Sequence, residues 1–151
     1  MKIMRTQNPV WFFSGKEKQK ILIATRRAES RTSGELRLHL ARKARGDVQE
    51  QARVAFEKIG MTRTDERNGV LLFLCLETHQ FALIGDQGIH AKVPAGFWQE
   101  EAARLGAQFK EDRFADGICE SFARIGEHLA AYFPYTRMDV NELSDKISYS
   151  F

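Results

Sequence analysis

Apolar positions along the chain recur at two spacings, and the switches between them mark out the elements. Ile21, Ala24 and Ala28 recur at helical spacing among Lys16, Lys20, Arg27 and Arg31. Ser14 and Glu17 have capping-box spacing with Phe13 before the cap, so a thinly apolar helix is predicted to begin near Ser14. Ser33 and Gly34 break it. The segment ELRLHLAR then alternates strictly, with Leu36, Leu38 and Leu40 on one side and Glu35, Arg37 and His39 on the other. One apolar face predicts an edge strand, which would leave His39 half exposed. Gly46 closes the following loop, Asp47 and Glu50 repeat the capping-box spacing, and Val48, Ala52, Ala55, Phe56 and Ile59 form a second helical stripe that Gly60 terminates.

The next strand, GVLLFLCLE, is apolar on both faces, as a central strand covered from both sides requires. Strand, helix and strand together read as a right-handed parallel crossover. A short turn at residues 77–80 leads into FALIGD, the antiparallel hairpin partner. After a loop rich in glycine (GDQGIHAKVPAG), Trp98, Ala102, Leu105 and Phe109 define a third helix. Phe114, Ile118, Phe122, Ile125 and Leu129 define a fourth, with Asp112 placed as its N-cap. The pattern predicts an α/β domain: a small mixed sheet, made of a parallel crossover followed by an antiparallel hairpin, and about four helices. Residues 14–133 form the domain, preceded by a segment at 1–13 and followed by a tail at 134–151, read as irregular.

Composition adds location more than chemistry. No segment has the apolar run of a signal peptide or approaches the ~20 residues of a membrane span, so a cytoplasmic protein is expected. Cys75 lies in an apolar run and Cys119 on a helical stripe, which suits reduced core thiols. Charge is lopsided: residues 1–45 hold twelve Lys or Arg against three Glu, while the remainder is acidic. A basic face of this kind suits a solvated helix surface, an anionic membrane or nucleic acid. Trp11, Phe12 and Phe13 beside lysines fit packing against the sheet or contact with such a surface.

Topology carries the main chemical expectation. Parallel strands place Glu35 and the loop Thr64-Asp65-Glu66-Arg67-Asn68 at one end of the sheet, and the antiparallel partner returns Asp86 to that end. Glu35, Asp65, Asn68 and Asp86, with Glu66 beside them, are therefore candidate ligands for a hard cation, Ca²⁺ or Mg²⁺. A metal there would also lower the pKa of a bound water for hydrolysis. Arg42, Lys43 and Arg45 gather at the opposite rim. His90, in the loop after Asp86, is a candidate acid or base. The chain has no phosphate-binding loop, dinucleotide glycine fingerprint or Gly-x-Ser-x-Gly elbow, so no organic cofactor is expected.

The Asn-Gly before the apolar strand, the hairpin ending in Gly-Asp, and Phe-x-x-x-x-Phe-x-x-Gly-Ile entering the last helix resemble the TPM domain family over residues 15 to 133. The tail motif NELSDKIS is similar to the end of its short bacterial members. The resemblance implies an α/β/α sandwich and diverse roles. These include a thylakoid-lumen protein linked to photosystem repair and reported as an acid phosphatase, an accessory subunit of an acetylcholine receptor, and membrane-anchored bacterial proteins. It also implies calcium binding near the sheet rim, and Asn68, Asp86 and Glu35 match positions where the family favours polar or acidic residues. The leading expectation is a cytoplasmic interaction module with a divalent-cation site and a protein partner, membrane-associated in one version. The alternatives are a metal-assisted phosphatase acting on phosphomonoesters, and anionic membrane or nucleic-acid binding through the basic first helix, nucleic acid being the less expected.

Overall fold

The computed structural model describes residues 5–43, 45–135 and 147–151. In chain order the elements are α1 (Gly15–Glu29), β1 (Glu35–Ala41), α2 (Val48–Lys58), a 3-10 turn at Met61–Arg63, β2 (Gly69–Cys75), β3 (Phe81–Gly85), α3 (Gln87–His90), α4 (Phe97–Lys110), α5 (Phe114–Tyr132) and β4 (Ser148–Ser150). The caps explain the helix starts. Ser14 Oγ accepts from Glu17 N–H at 3.2 Å while Ser14 N–H donates to Glu17 Oε1 at 3.0 Å, a complete capping box. Asp47 caps α2 by accepting from Glu50 N–H, but Glu50 turns outward to Arg53 at 3.5 Å, so the second box is half formed. Gly60 follows α2 at φ 85°, a left-handed position that suits glycine.

The sheet order is β3-β2-β1-β4. β1 and β2 are parallel, from Glu35 opposite Gly69 to Ala41 opposite Cys75, and β2 and β3 form the antiparallel hairpin. Even-numbered residues of β1 and β2 pack under α1, α4 and α5, with Ile21, Leu105, Ile118 and Phe122 in one core. Phe12 and Phe13, ahead of α1, are buried in the same core. Odd-numbered residues Leu71 and Phe73 pack against Ala52 and Phe56 of α2 in a second, smaller core. The layers are thus helices, mixed sheet, helix. Small residues let α1 approach α5: a Cβ on Gly126 would lie 2.8 Å from Ala28 Cβ.

Four expectations are overturned. β1 is not an edge strand, because Ser148–Ser150 pairs with it in parallel, His39 opposite Ser148 and Ala41 opposite Ser150. These tail residues are therefore regular, although Asn141 to Lys146 of the NELSDKIS motif lie outside the described residues. His39, covered by that strand, is 4% exposed rather than half exposed. Asp112 does not cap α5. It takes φ 59°, and the cap position falls on Arg113, whose side chain makes no cap hydrogen bond. The loop after β3 also contains a single helical turn, α3, started by Asp86.

Candidate functional site

Parallel pairing sets the N-terminal ends of β1 and β2 side by side, and the hairpin brings the end of β3 to them. Backbone hydrogen bonds tie the three loops: Glu35 N–H to Asn68 O at 3.4 Å, Asp86 N–H to Gly69 O at 2.9 Å, and Gly88 N–H to Arg67 O at 2.9 Å. Gly88 is required by this approach, since a Cβ there would stand 2.2 Å from Glu66 O. The convergence of Glu35, the 64–68 loop and Asp86 is real at the level of backbone. Its side chains, however, sort into two networks.

The first is an ion pair. Arg67, at φ 51°, turns its guanidinium onto Asp86, with Nε to Oδ2 at 2.6 Å and Nη2 to Oδ1 at 2.9 Å. Asp86 is 6% exposed and also accepts from Gln87 N–H at 2.8 Å, so both of its oxygens are engaged. The hydrogen bond to Asp86 holds the Arg67 guanidinium above its usual value. A depression of about 340 Å³ opens beside this pair, lined by Arg53, Phe56, Arg67, Asp86, His90 and Trp98. The Trp98 ring lies over Gly85, and its buried Nε1 has no hydrogen-bond partner. His90 faces this depression from an exposed position.

The second network centres on Asn68, which is 1% exposed. Its backbone N–H donates to Thr64 Oγ1 at 3.0 Å, and its Nδ2 donates to Ser33 Oγ at 3.1 Å and Glu66 Oε2 at 3.4 Å. Ser33 in turn donates to Glu66 Oε2 at 2.6 Å. Two acceptors fix which way the amide points, and its Oδ1 is left buried with no partner. Such an oxygen costs about 1–3 kcal/mol. Glu35 is buried and Asp65 exposed, and each has an interaction of its own. Among the described residues no group of three or more His, Cys, Asp or Glu side chains is arranged to hold a metal ion. Of the candidate ligands, Asn68 and Asp86 stand in adjoining loops but belong to different networks.

Sequence reasoning missed Arg67 as the partner of Asp86, and Ser33 as the bridge to Glu66. The only signal was position: both flank the loops that the topology brings together. On the other side of the sheet, His39 is clamped between two serines. Its Nδ1 lies 2.8 Å from Ser148 Oγ and its Nε2 2.9 Å from Ser150 Oγ. Burial, and then the Arg37 charge, push its pKa down to about 4. Cys75 and Cys119 are free thiols, and burial pushes the Cys119 thiol up. No helix among the described residues is long and apolar enough to cross a membrane.

A family model described as the TPM domain matches residues 8–128. The fold is similar to the BA42 protein of the psychrophilic bacterium Bizionia argentinensis, at 36% identity and TM-score 0.86, covering 91% of this chain and 95% of that one. It is also similar to the N-terminal domain of a P. gingivalis protein, with 15% identity and TM-score 0.62 over 83% of this chain and 82% of that one. The N-terminal domain of the Corynebacterium glutamicum protein cg2496 gives 10% identity and TM-score 0.62, over 89% and 79% of the two chains. The last two likenesses concern fold alone. No curated protein sequence matches the chain significantly.

Proposed function

The chain belongs to the TPM domain family, and from that premise we propose that it is a binding domain whose rim takes a divalent cation on the Asn68 side. The observation that carries this reading is the buried Asn68 Oδ1, which has no hydrogen-bond partner, on an amide whose Nδ2 lies 3.4 Å from Glu66 Oε2. An amide oxygen and a carboxylate are ligands that Ca²⁺ accepts readily, with its flexible shell of six to eight oxygens; Mg²⁺, which demands a stricter octahedron, fits less well. Binding would give the orphaned oxygen a partner and remove its cost. Asp86 stays with Arg67 in this reading and shapes the neighbouring loop. Because Glu66 is exposed, a cation held there keeps coordination positions open to solvent. A carboxylate from a protein partner can fill them.

The test is the thermal midpoint of chelator-stripped protein titrated with Ca²⁺ and, separately, Mg²⁺. A ligand that binds only the folded state adds about 2.7 kcal/mol at a hundred times its Kd, so a saturable rise is expected, larger with Ca²⁺. Glu66→Gln keeps acceptors for Ser33 and Asn68 but removes the charge, and is expected to abolish the rise. Asp86→Asn is expected to lower the starting midpoint and retain the rise. No rise with either metal overturns the proposal. Loss of the rise in Asp86→Asn but not in Glu66→Gln would overturn the siting.

A further inference from the structure

Among the described residues, the face of the sheet under α2 is only half covered. A helix is about 10 Å wide and strands are spaced about 4.8 Å apart, so one helix covers about two strands. α2 lies over β2 and β3, which leaves the β1–β4 half of this face beside it. The result is a groove of about 470 Å³ between α2 and β4, within the range of small-molecule sites. Its floor is His39 stacked on Phe73, with ring centroids 5.3 Å apart and planes 9° from parallel. Its walls are apolar: Val54 from α2, Ile59 just after that helix, and Phe151 just after β4. Val54 is 54% and Phe151 60% exposed, two of the few large apolar side chains left in water.

The mouth is cationic. Lys43 and Arg45 stand at one end and Lys58 at the other, and no Asp or Glu among the described residues lines the groove. None of the three cations forms an ion pair among the described residues. Gln51 fixes the Lys43–Arg45 loop to α2, donating from Nε2 to Lys43 O at 2.9 Å and accepting from Arg45 N–H at 2.9 Å. We propose that this groove binds a small organic acid: an apolar, preferably aromatic body seated between α2 and β4, with its carboxylate or phosphate beside Lys43 and Arg45. The groove opens where β1 and β4 end, the end of parallel strands at which open α/β sheets take ligands.

Binding without turnover follows from the floor. Ser150 and His39 stand at the spacing of a nucleophile and its base, but the other imidazole nitrogen meets the Ser148 hydroxyl, where a carboxylate would be needed to stabilise an imidazolium. A ring held neutral down to about pH 4 is also a weak proton acceptor. The groove lies at the other end of β1 from Asn68, so this proposal and the cation site stand or fall separately.

The test is a titration of isotope-labelled protein with naphthoate, followed by amide chemical shifts. Saturable shifts confined to residues 51–59, 149–151 and the Lys43–Arg45 loop are expected. K43E/R45E should weaken binding by about tenfold, the scale of two exposed ion pairs, with the rest of the spectrum unchanged. Val54→Glu, which sets a like charge in the wall, should do the same. Naphthalenemethanol, neutral but of the same shape, should bind more weakly. The proposal is overturned by no shift at millimolar naphthoate, by shifts elsewhere, by unchanged affinity in both variants, or by the same shifts from inorganic phosphate alone.

Discussion

The two faces of the central sheet start from the same strands and end differently. Under α1, α4 and α5, every even-numbered residue of β1 and β2 is apolar and buried, and Gly126 lets α1 and α5 close over them. Under α2, apolar residues fill the β2–β3 half, and Ala41 at the end of β1 joins them. The β1–β4 half instead carries His39, Ser148 and Ser150, which satisfy one another. One face is closed by area removed from water; half of the other is closed by matched polar groups. A binding groove is available only on the second, because a polar, hydrogen-bonded floor needs no helix above it.

This contrast can be broken by measurement. The largest effect belongs to the closed face. Phe122→Ala, at a fully buried position in α5, is expected to cost about 3–5 kcal/mol in urea unfolding. A cost below about 1 kcal/mol would mean that this core is not closed.

Next is the polar half. His39 has a folded pKa near 4 against an ordinary 6.5, so between those values the unfolded chain binds a proton that the folded chain refuses. Stability is therefore lost as pH falls from about 6.5 towards 4, by up to about 3 kcal/mol, with no further change from His39 below that. Arg37 on the same strand works in the same direction, and no Asp or Glu among the described residues lines the groove beside His39 to pair with the added proton. Urea midpoints across that range should show a slope that His39→Gln flattens. An unchanged slope would assign it to other groups.

Smaller again is Gly126→Ala. Helix propensity favours the change by about 1 kcal/mol, but the new methyl meets Ala28 at 2.8 Å. Overpacking costs about 1–3 kcal/mol, so a net loss of about 1 kcal/mol is expected in the same assay. A gain in stability would show that α1 yields easily. The smallest effect sharpens the comparison most. Val54→Ala, in the wall of the open groove, should move stability by less than about 0.5 kcal/mol, whereas a cost near that of Phe122→Ala would mean that something covers this wall.

Much of this architecture is legible in the order of residues. The Ser14–Glu17 cap, the apolar run of β2, the crossover and the hairpin follow from local spacing, and each is local in the structure too. What escaped reading depends on distant partners. Arg37 and His39 make β1 look wet on one side, and the serines that cover His39 come from 109 and 111 positions away. The rim divides the same way. Topology places Glu35, Asn68 and Asp86 together. The pairing of Asp86 depends on Arg67 adopting φ 51°, a conformation that an arginine codon does not announce. Asp112 failed as a cap for a related reason: it took the left-handed position between α4 and α5 itself, where aspartate is tolerated.

The short strand β4 also has a meaning in time. A ribosome adds about 5–20 residues per second, so β1 is made on the order of ten seconds before Ser148 exists to pair with it. Throughout that interval the crossover and hairpin can form while one edge of β1 remains open, a template for any other nascent strand. Arg37, in the middle of that strand and the residue that made it look like an edge, is the kind of charge that guards one. During synthesis, β1 is an edge strand.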